Sequence, residues 1–261
     1  MKDFFSFPVE LLPLPKKTAM ANIAYTDVIR SISYDTSYIL SSIIKLYLEG
    51  EDRIEVDVTY SLGGFYERSK EYPVLQPLKK FDVFPQKPDV EKLGKFEKWS
   101  LKSNSVKSIL CDLPFIISKG PSLEKEQNAD NKSNIIHQRY FSFYPKQEMF
   151  KTYYWFMMEA YRCLRPSGIL IMKCQRTISG GVNIDMPCIV YAYGHKLGFR
   201  HLDRFTLLSK NRLHSGRIKT QIHSRSYESS FLVFRKPDGS AKDDPLDFWD
   251  FGTFPTRHRR R

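Results

Sequence analysis

Apolar residues along this chain recur with two different periods. In TDVIRSISYDTSYILSSIIKLYLEG, Ile, Tyr and Leu fall at helical spacings and Gly50 supplies a stop, which predicts a first helix. RIEVDVTYSLGGFYE then alternates apolar and polar positions, a strand over Ile54 to Val58 that breaks into a loop carrying Gly63 and Gly64. KKFDVFP reads as a second short strand with Asp82 near its end, and SVKSILCDLPF as a third, more apolar one. QEMFKTYYWFMMEAYRCLRP has the stripe of an amphipathic helix stopped by Pro166. SGILIMKCQ is nearly all apolar, the composition of a strand buried on both faces. PCIVYAYGHKLGF predicts another helix with Gly194 inside it or near its end, and HLDRFTLLSK and SSFLVFRKP the last two strands.

Helices alternating with short apolar strands predict an α/β fold, a mostly parallel sheet with helices on both faces. The chain divides on composition into a proline-punctuated arm over 1–24, a main domain over 25–237 and a tail over 238–261 that turns from acidic-aromatic to basic. The segment 119–146, polar and turn-rich before it becomes aromatic, is long enough to predict a functional loop inserted in the domain. With 261 residues, 41% of them hydrophobic, the chain can bury one sizeable core. No window approaches the roughly 18–20 apolar residues of a membrane span, and the N-terminal arm lacks the order of a secretory signal. Cys111, Cys163, Cys174 and Cys188 form no CxxC pair, so packed thiols in a reducing cytoplasm are expected rather than a metal site. His214 and His223 likewise lack ligand spacing. Lys and Arg number 41 against 29 Asp and Glu, a formal charge of +12 that suits a polyanionic partner, nucleic acid before membrane.

In doubly wound sheets ligands bind at the carboxyl ends of strands, where the strand order reverses. Asp57, Asp82 and Asp112 all fall at such ends. Asp57, Thr59 and Tyr60 followed by Gly63 and Gly64 allow a backbone to approach a nucleotide-like ligand closely, and Asp82 stands where a carboxylate meets ribose hydroxyls. Each has a plainer alternative: a tight turn for the glycines, a turn cap for Asp82. The loop is not G-x-G-x-x-G, which disfavours a nicotinamide enzyme. Asp112 poses the sharpest choice, since a carboxylate carried to the tip of a buried strand either caps the next segment or is kept for chemistry.

Asp112-Leu113-Pro114-Phe115 resembles the signature of class I S-adenosylmethionine-dependent methyltransferases that act on an exocyclic amino group of a nucleobase. That signature is Asp or Asn, Pro-Pro, then Tyr or Phe, at the end of the fourth strand. EAYRCLRPSGILIMKCQ is similar to the helix, turn and fifth strand that follow it, and the element order from Ile54 to Phe234 fits the family's Rossmann-like, seven-stranded sheet. The resemblance is nearest to DNA methyltransferases of bacterial and phage type whose cofactor half precedes the signature. It implies S-adenosyl-L-methionine as cofactor. It also implies that the Asp112 carboxylate and the carbonyl of Leu113 accept the two amino hydrogens of the target, with Phe115 stacking on an extruded base. Leu113 departs from the pattern, where proline is expected; the acceptor carbonyl is kept and the fixed φ is lost.

Two basic stretches complete the expectations. Arg139 and Tyr140, with Phe141, Phe143 and Tyr144, and then Lys210, Arg212, Arg217, Lys219 and Arg225, interleave cations with aromatics as nucleic-acid surfaces do. An ordinary solvated basic face is the alternative. Among nucleic acids DNA is favoured over RNA, and adenine N6 over cytosine N4. The rivals are an inert methyltransferase-like subunit that binds nucleic acid with a protein partner, an RNA methyltransferase, and a methyltransferase acting on a small molecule or protein side chain. The RHRRR terminus adds non-specific electrostatics, or a nuclear address.

Overall fold

A computed structural model describes residues 28–117, 142–143, 145–209, 223–224 and 226–239. The chain divides into two compact units, Met1–Arg30 and Ser31–Arg261, and every regular element among the described residues belongs to the second. Its elements are β1 (Ile32–Ser33), α1 (Thr36–Tyr47), β2 (Val56–Asp57), β3 (Lys79–Asp82), β4 (Glu91–Lys92), β5 (Val106–Asp112), β6 (Ile116–Ile117) and β7 (Ser142–Phe143). They continue with α2 (Lys146–Cys163), β8 (Leu164–Cys174), β9 (Thr177–Ser179), β10 (Val182–Ile184), α3 (Met186–Lys196), β11 (Arg200–Leu208) and β12 (Glu228–Arg235).

The main sheet has the order β1-β11-β12-β8-β5-β2-β3-β4. β4, β3, β2, β5 and β8 run parallel, whereas β12 lies antiparallel between β8 and β11. The seven strands other than β1, β6, β7, β9 and β10 form the Rossmann-like class I sheet expected from the sequence, and β1 adds an eighth at the edge. From β2 the chain moves outward through β3 to β4 and then returns to lay β5 on the other side of β2. The strand order therefore reverses between β2 and β5, the crevice that binds ligands in such sheets.

Alternation along the strands separates two faces. Val56, Ile109, Cys111, Leu170, Met172, Leu232 and Phe234 join α2 and α3 in one core. On α2 the stripe Met149, Tyr153, Phe156, Met157, Ala160 and Cys163 carries this face at helical spacing. Gly194 lies in the last turn of α3, and a Cβ there would stand 2.5 Å from Cε1 of the fully buried Phe234 ring. The alternate residues, Asp57, Leu110, Asp112, Lys173 and Phe231, face the opposite side. Tyr47 of α1 donates to Asp203 on that side of β11, so α1 covers it, burying Ile39, Leu40 and Ile43. Asp35 caps α1 by accepting from the Ser37 amide.

Several elements differ from expectation. The predicted first helix begins with a strand: Ile32–Ser33 pairs with β11 before Asp35 starts the helix. No helix links β2 to β3, β3 to β4 or β4 to β5 among the described residues. β4 and the hairpin β9–β10 are too short or too polar to show an alternation. The chain leaves α2 at Cys163 and enters β8 at once, so Pro166 sits in the strand's first part and is not itself the helix stop.

Candidate active site

Three carboxylates expected at strand ends are brought to one edge and one face of the sheet, but each is held differently. Asp57 is 1% exposed. Its Oδ1 accepts from the Thr59 amide at 2.8 Å and the Thr59 hydroxyl at 3.3 Å, and its Oδ2 accepts from the Tyr66 hydroxyl at 2.6 Å. Burial pushes its carboxyl up to about 7 against the pull of these donors, with the nearby Asp112 adding to the rise. Asp57 is thus a buried keystone beneath the loop, and the ligand contact expected of it is not available to an exposed face. Thr59 relays the arrangement across the crevice: its Oγ1 accepts from the Asp112 amide at 2.7 Å. β2 and β5 are tied together at the reversal point by one side chain.

The loop after β2 is a stack of aromatics. Tyr60 lies parallel to Tyr66, centroids 5.6 Å apart, and donates to Gln76 at 2.6 Å. Gly63, at φ 74°, is required by that ring: a Cβ would stand 2.4 Å from the Tyr60 hydroxyl oxygen. Gly64 faces only Arg68, at 3.4 Å. Asp82 at the tip of β3 accepts from the Ser61 amide at 2.7 Å and the Phe84 amide at 2.8 Å, one on each oxygen. Partial burial raises its carboxyl above the ordinary value. The turn-cap role is filled, with the Val83 amide a further backbone donor, and the carboxylate keeps acceptor capacity beyond these donors.

Asp112 ends β5 beside Lys173 of β8, its register partner. Lys173 Nζ meets Asp112 Oδ2 at 2.8 Å and lies over two rings, 5.3 Å from the Phe65 centroid and 6.0 Å from that of Phe231. Asp112 Oδ1 has no hydrogen-bond partner among the described residues. The following carbonyls are held from the core side: the fully buried Tyr153 hydroxyl donates to Leu113 O at 3.0 Å and to Pro114 O at 3.3 Å. Leu113 itself is buried in the α2 core. The loop that loses a proline's fixed φ gains an apolar anchor instead. Pro114 and Phe115 are half-buried beside it.

Lys173, Tyr66 and Tyr153 contact the candidate site residues, and the sequence reading did not single them out. A lone lysine inside the otherwise apolar ILIMKC was a legible signal, since an unpaired charge is not buried there without a partner. Tyr153 was hidden in a helix stripe of apolar and aromatic residues. Arg139, Tyr140, Phe141, Tyr144, Lys210, Arg212, His214, Arg217, Lys219 and Arg225 lie outside the described residues. Phe143 packs in the core and His223 Nε2 meets the Gly181 carbonyl at the β9–β10 turn. The described residues hold no group of three metal-ligating side chains, and no described helix is long and apolar enough to cross a membrane.

No protein-family model and no curated protein matches the chain. Among solved structures it is similar to a protein from Thermus thermophilus described as a DNA modification methylase and solved with S-adenosyl-L-methionine, at 17% identity over 54% of this chain and 52% of that one, TM-score 0.33. It is similar to the PvuII cytosine-N4-specific DNA methyltransferase at 16% identity over 53% and 45% of the two chains, TM-score 0.37. It is similar to the [4+2]-cyclase SpnF at 14% identity over 78% and 82%, TM-score 0.45. The chain spans about half the length of the methylases it matches.

Proposed function

We propose that the protein transfers a methyl group from S-adenosyl-L-methionine to an exocyclic amino nitrogen of a nucleobase. One observation carries the reading: Asp112-Leu113-Pro114-Phe115 ends a central strand at the reversal point, with carboxylate Oδ1 unengaged among the described residues and the Leu113 carbonyl held in place. An aromatic amine delocalises its lone pair into the ring and is a poor nucleophile. Two acceptors, Asp112 Oδ1 and Leu113 O, can take its two N–H groups, draw the nitrogen toward tetrahedral geometry and localise the pair. Tyr153 uses one lone pair of Leu113 O from behind and leaves the other. The N–C bond would form as the methyl–sulfur bond breaks, the sulfonium leaving as a neutral thioether, and the displaced N–H proton would pass by way of Asp112 Oδ1 to solvent.

S-adenosyl-L-methionine, when bound, supplies an electrophilic methyl on a sulfonium; the protein's share is alignment and electrostatics. The residues present fit it. Asp82 has acceptor capacity left for ribose hydroxyls, and Gly64 leaves room for close backbone approach. Asp57, Thr59, Tyr60 and Gly63 build the loop that presents those groups. DNA is the favoured nucleic acid and adenine N6 the favoured position, as the sequence resemblance implies, with Arg139, Tyr140, Lys210, Arg212, Arg217 and Lys219 the proposed contacts.

A second reading has one observation in its favour. Asp112 Oδ2 is already paired with Lys173, as a structural strand-end carboxylate would be, which suits an inert relative that binds nucleic acid as a partner subunit. Incubation with tritiated-methyl cofactor and either duplex DNA or RNA separates the two. Retention of label on nucleic acid, lost in Asp82→Ala at low cofactor concentration and restored at high, is expected. No label on either nucleic acid, with cofactor binding intact, moves the protein to the second reading.

A further inference from the structure

We propose that Lys173 is the positioning residue of the methyl-transfer site, an ammonium fixed in an aromatic box that aims the Asp112 carboxylate. The inference rests on the proposed nucleobase methyl transfer. Asp112 and Lys173 are register neighbours in the parallel pair β5–β8, and both point to the α1 side of the sheet. A carboxylate at a strand tip is free to turn about its last torsion, which is broad for aspartate. The Lys173 ammonium takes Oδ2 at 2.8 Å, which fixes the plane of the group and leaves Oδ1 to the target amine. The Asp112 amide is anchored by Thr59 Oγ1, so both ends of the residue are held.

Lysine alone is a poor anchor, because its four-carbon stem is flexible. Here the stem is not left free. Phe65 from the β2–β3 loop and Phe231 from β12 meet edge to face, centroids 6.3 Å apart, and the ammonium lies within 6.0 Å of both ring centres. Only 15% of the Lys173 side chain is exposed. An ion pair that served only to neutralise a surface carboxylate would need neither the box nor the burial.

The test is a double-mutant cycle on transfer rate, measured per folded molecule. Lys173→Met is expected to lower kcat on the order of 10²-fold, as misaimed reacting groups do, with KM for nucleic acid and cofactor affinity little changed. Lys173→Arg should recover part of the loss. In an Asp112→Asn background, Lys173→Met should cost nothing further, because the lysine acts through that carboxylate. Should the methionine variant not fold, Lys173→Gln takes its place. Losses that multiply in the double variant, or an arginine variant no better than methionine, overturn the positioning role while leaving the methyltransferase reading intact. A wild-type protein that labels no nucleic acid removes the reaction itself, and the positioning role with it.

Discussion

Asp57 offers a direct reading of how the site is stabilised. Three donors converge on a carboxyl that is 1% exposed, and burial outweighs them enough to raise it from 3.8 to about 7. An acid whose folded value lies above its unfolded one binds more protons when folded. Its contribution is therefore favourable below about pH 4 and is lost as pH rises toward 7. The gap corresponds to about 4 kcal/mol, at about 1.4 kcal/mol per tenfold change in proton affinity. Asp57→Asn keeps the volume, accepts from Thr59 and can donate to the Tyr66 oxygen, but does not titrate. Urea unfolding at intervals from pH 4 to 8 should show wild-type stability falling relative to the asparagine variant by about that amount, flattening above pH 7. The comparison cancels groups common to both, including Asp82, which shifts in the same direction. A wild type that gains stability relative to Asp57→Asn over this range would mean the three donors outweigh burial, and the keystone is an ordinary ionised carboxylate.

Other outcomes follow from packing. Gly194→Ala gains about 1 kcal/mol of helix propensity but drives a methyl into the Phe234 ring, and a net loss of about 1–2 kcal/mol is expected by thermal unfolding. Tyr153→Phe leaves the Leu113 carbonyl without its buried donor and should cost about 1–2 kcal/mol, with slower methyl transfer and unchanged nucleic-acid affinity. Lys236 donates to the carbonyls of Tyr161 and Leu164 at the end of α2 and to Asn104, so Lys236→Met should cost about 1–3 kcal/mol in urea unfolding.

What the sequence made legible was the part written in period and punctuation. The apolar runs of β5, β8 and β12 and the stripe of α2 fix the core, and the aspartates at strand tips mark the candidate site. Two kinds of feature escaped. Two-residue strands such as β1 and β4 owe their form to neighbours in the sheet and carry no pattern of their own. Partnerships across the sheet escaped as well. Asp57 sits in an alternating strand like any exposed polar residue, and only the fold sets Thr59 and Tyr66 over it. Leu113 stands where the resembled signature has proline, and nothing in its immediate sequence signals that its side chain enters the core. The pairing of Asp112 with Lys173 joins residues 61 positions apart, and only the strand order makes them neighbours.

The proposed reaction makes one bond, between a methyl group and a nucleobase nitrogen. Nucleosides from DNA and RNA incubated with the protein and isotopically labelled S-adenosyl-L-methionine can be digested and separated by mass spectrometry. Labelled N-methylated nucleoside, N6-methyladenine before N4-methylcytosine, is expected with the wild-type protein. Asp112→Ala should lower its yield by on the order of 10²-fold or more while cofactor affinity holds. Label found on carbon or ribose, or undiminished in Asp112→Ala, would contradict the assignment of this strand tip.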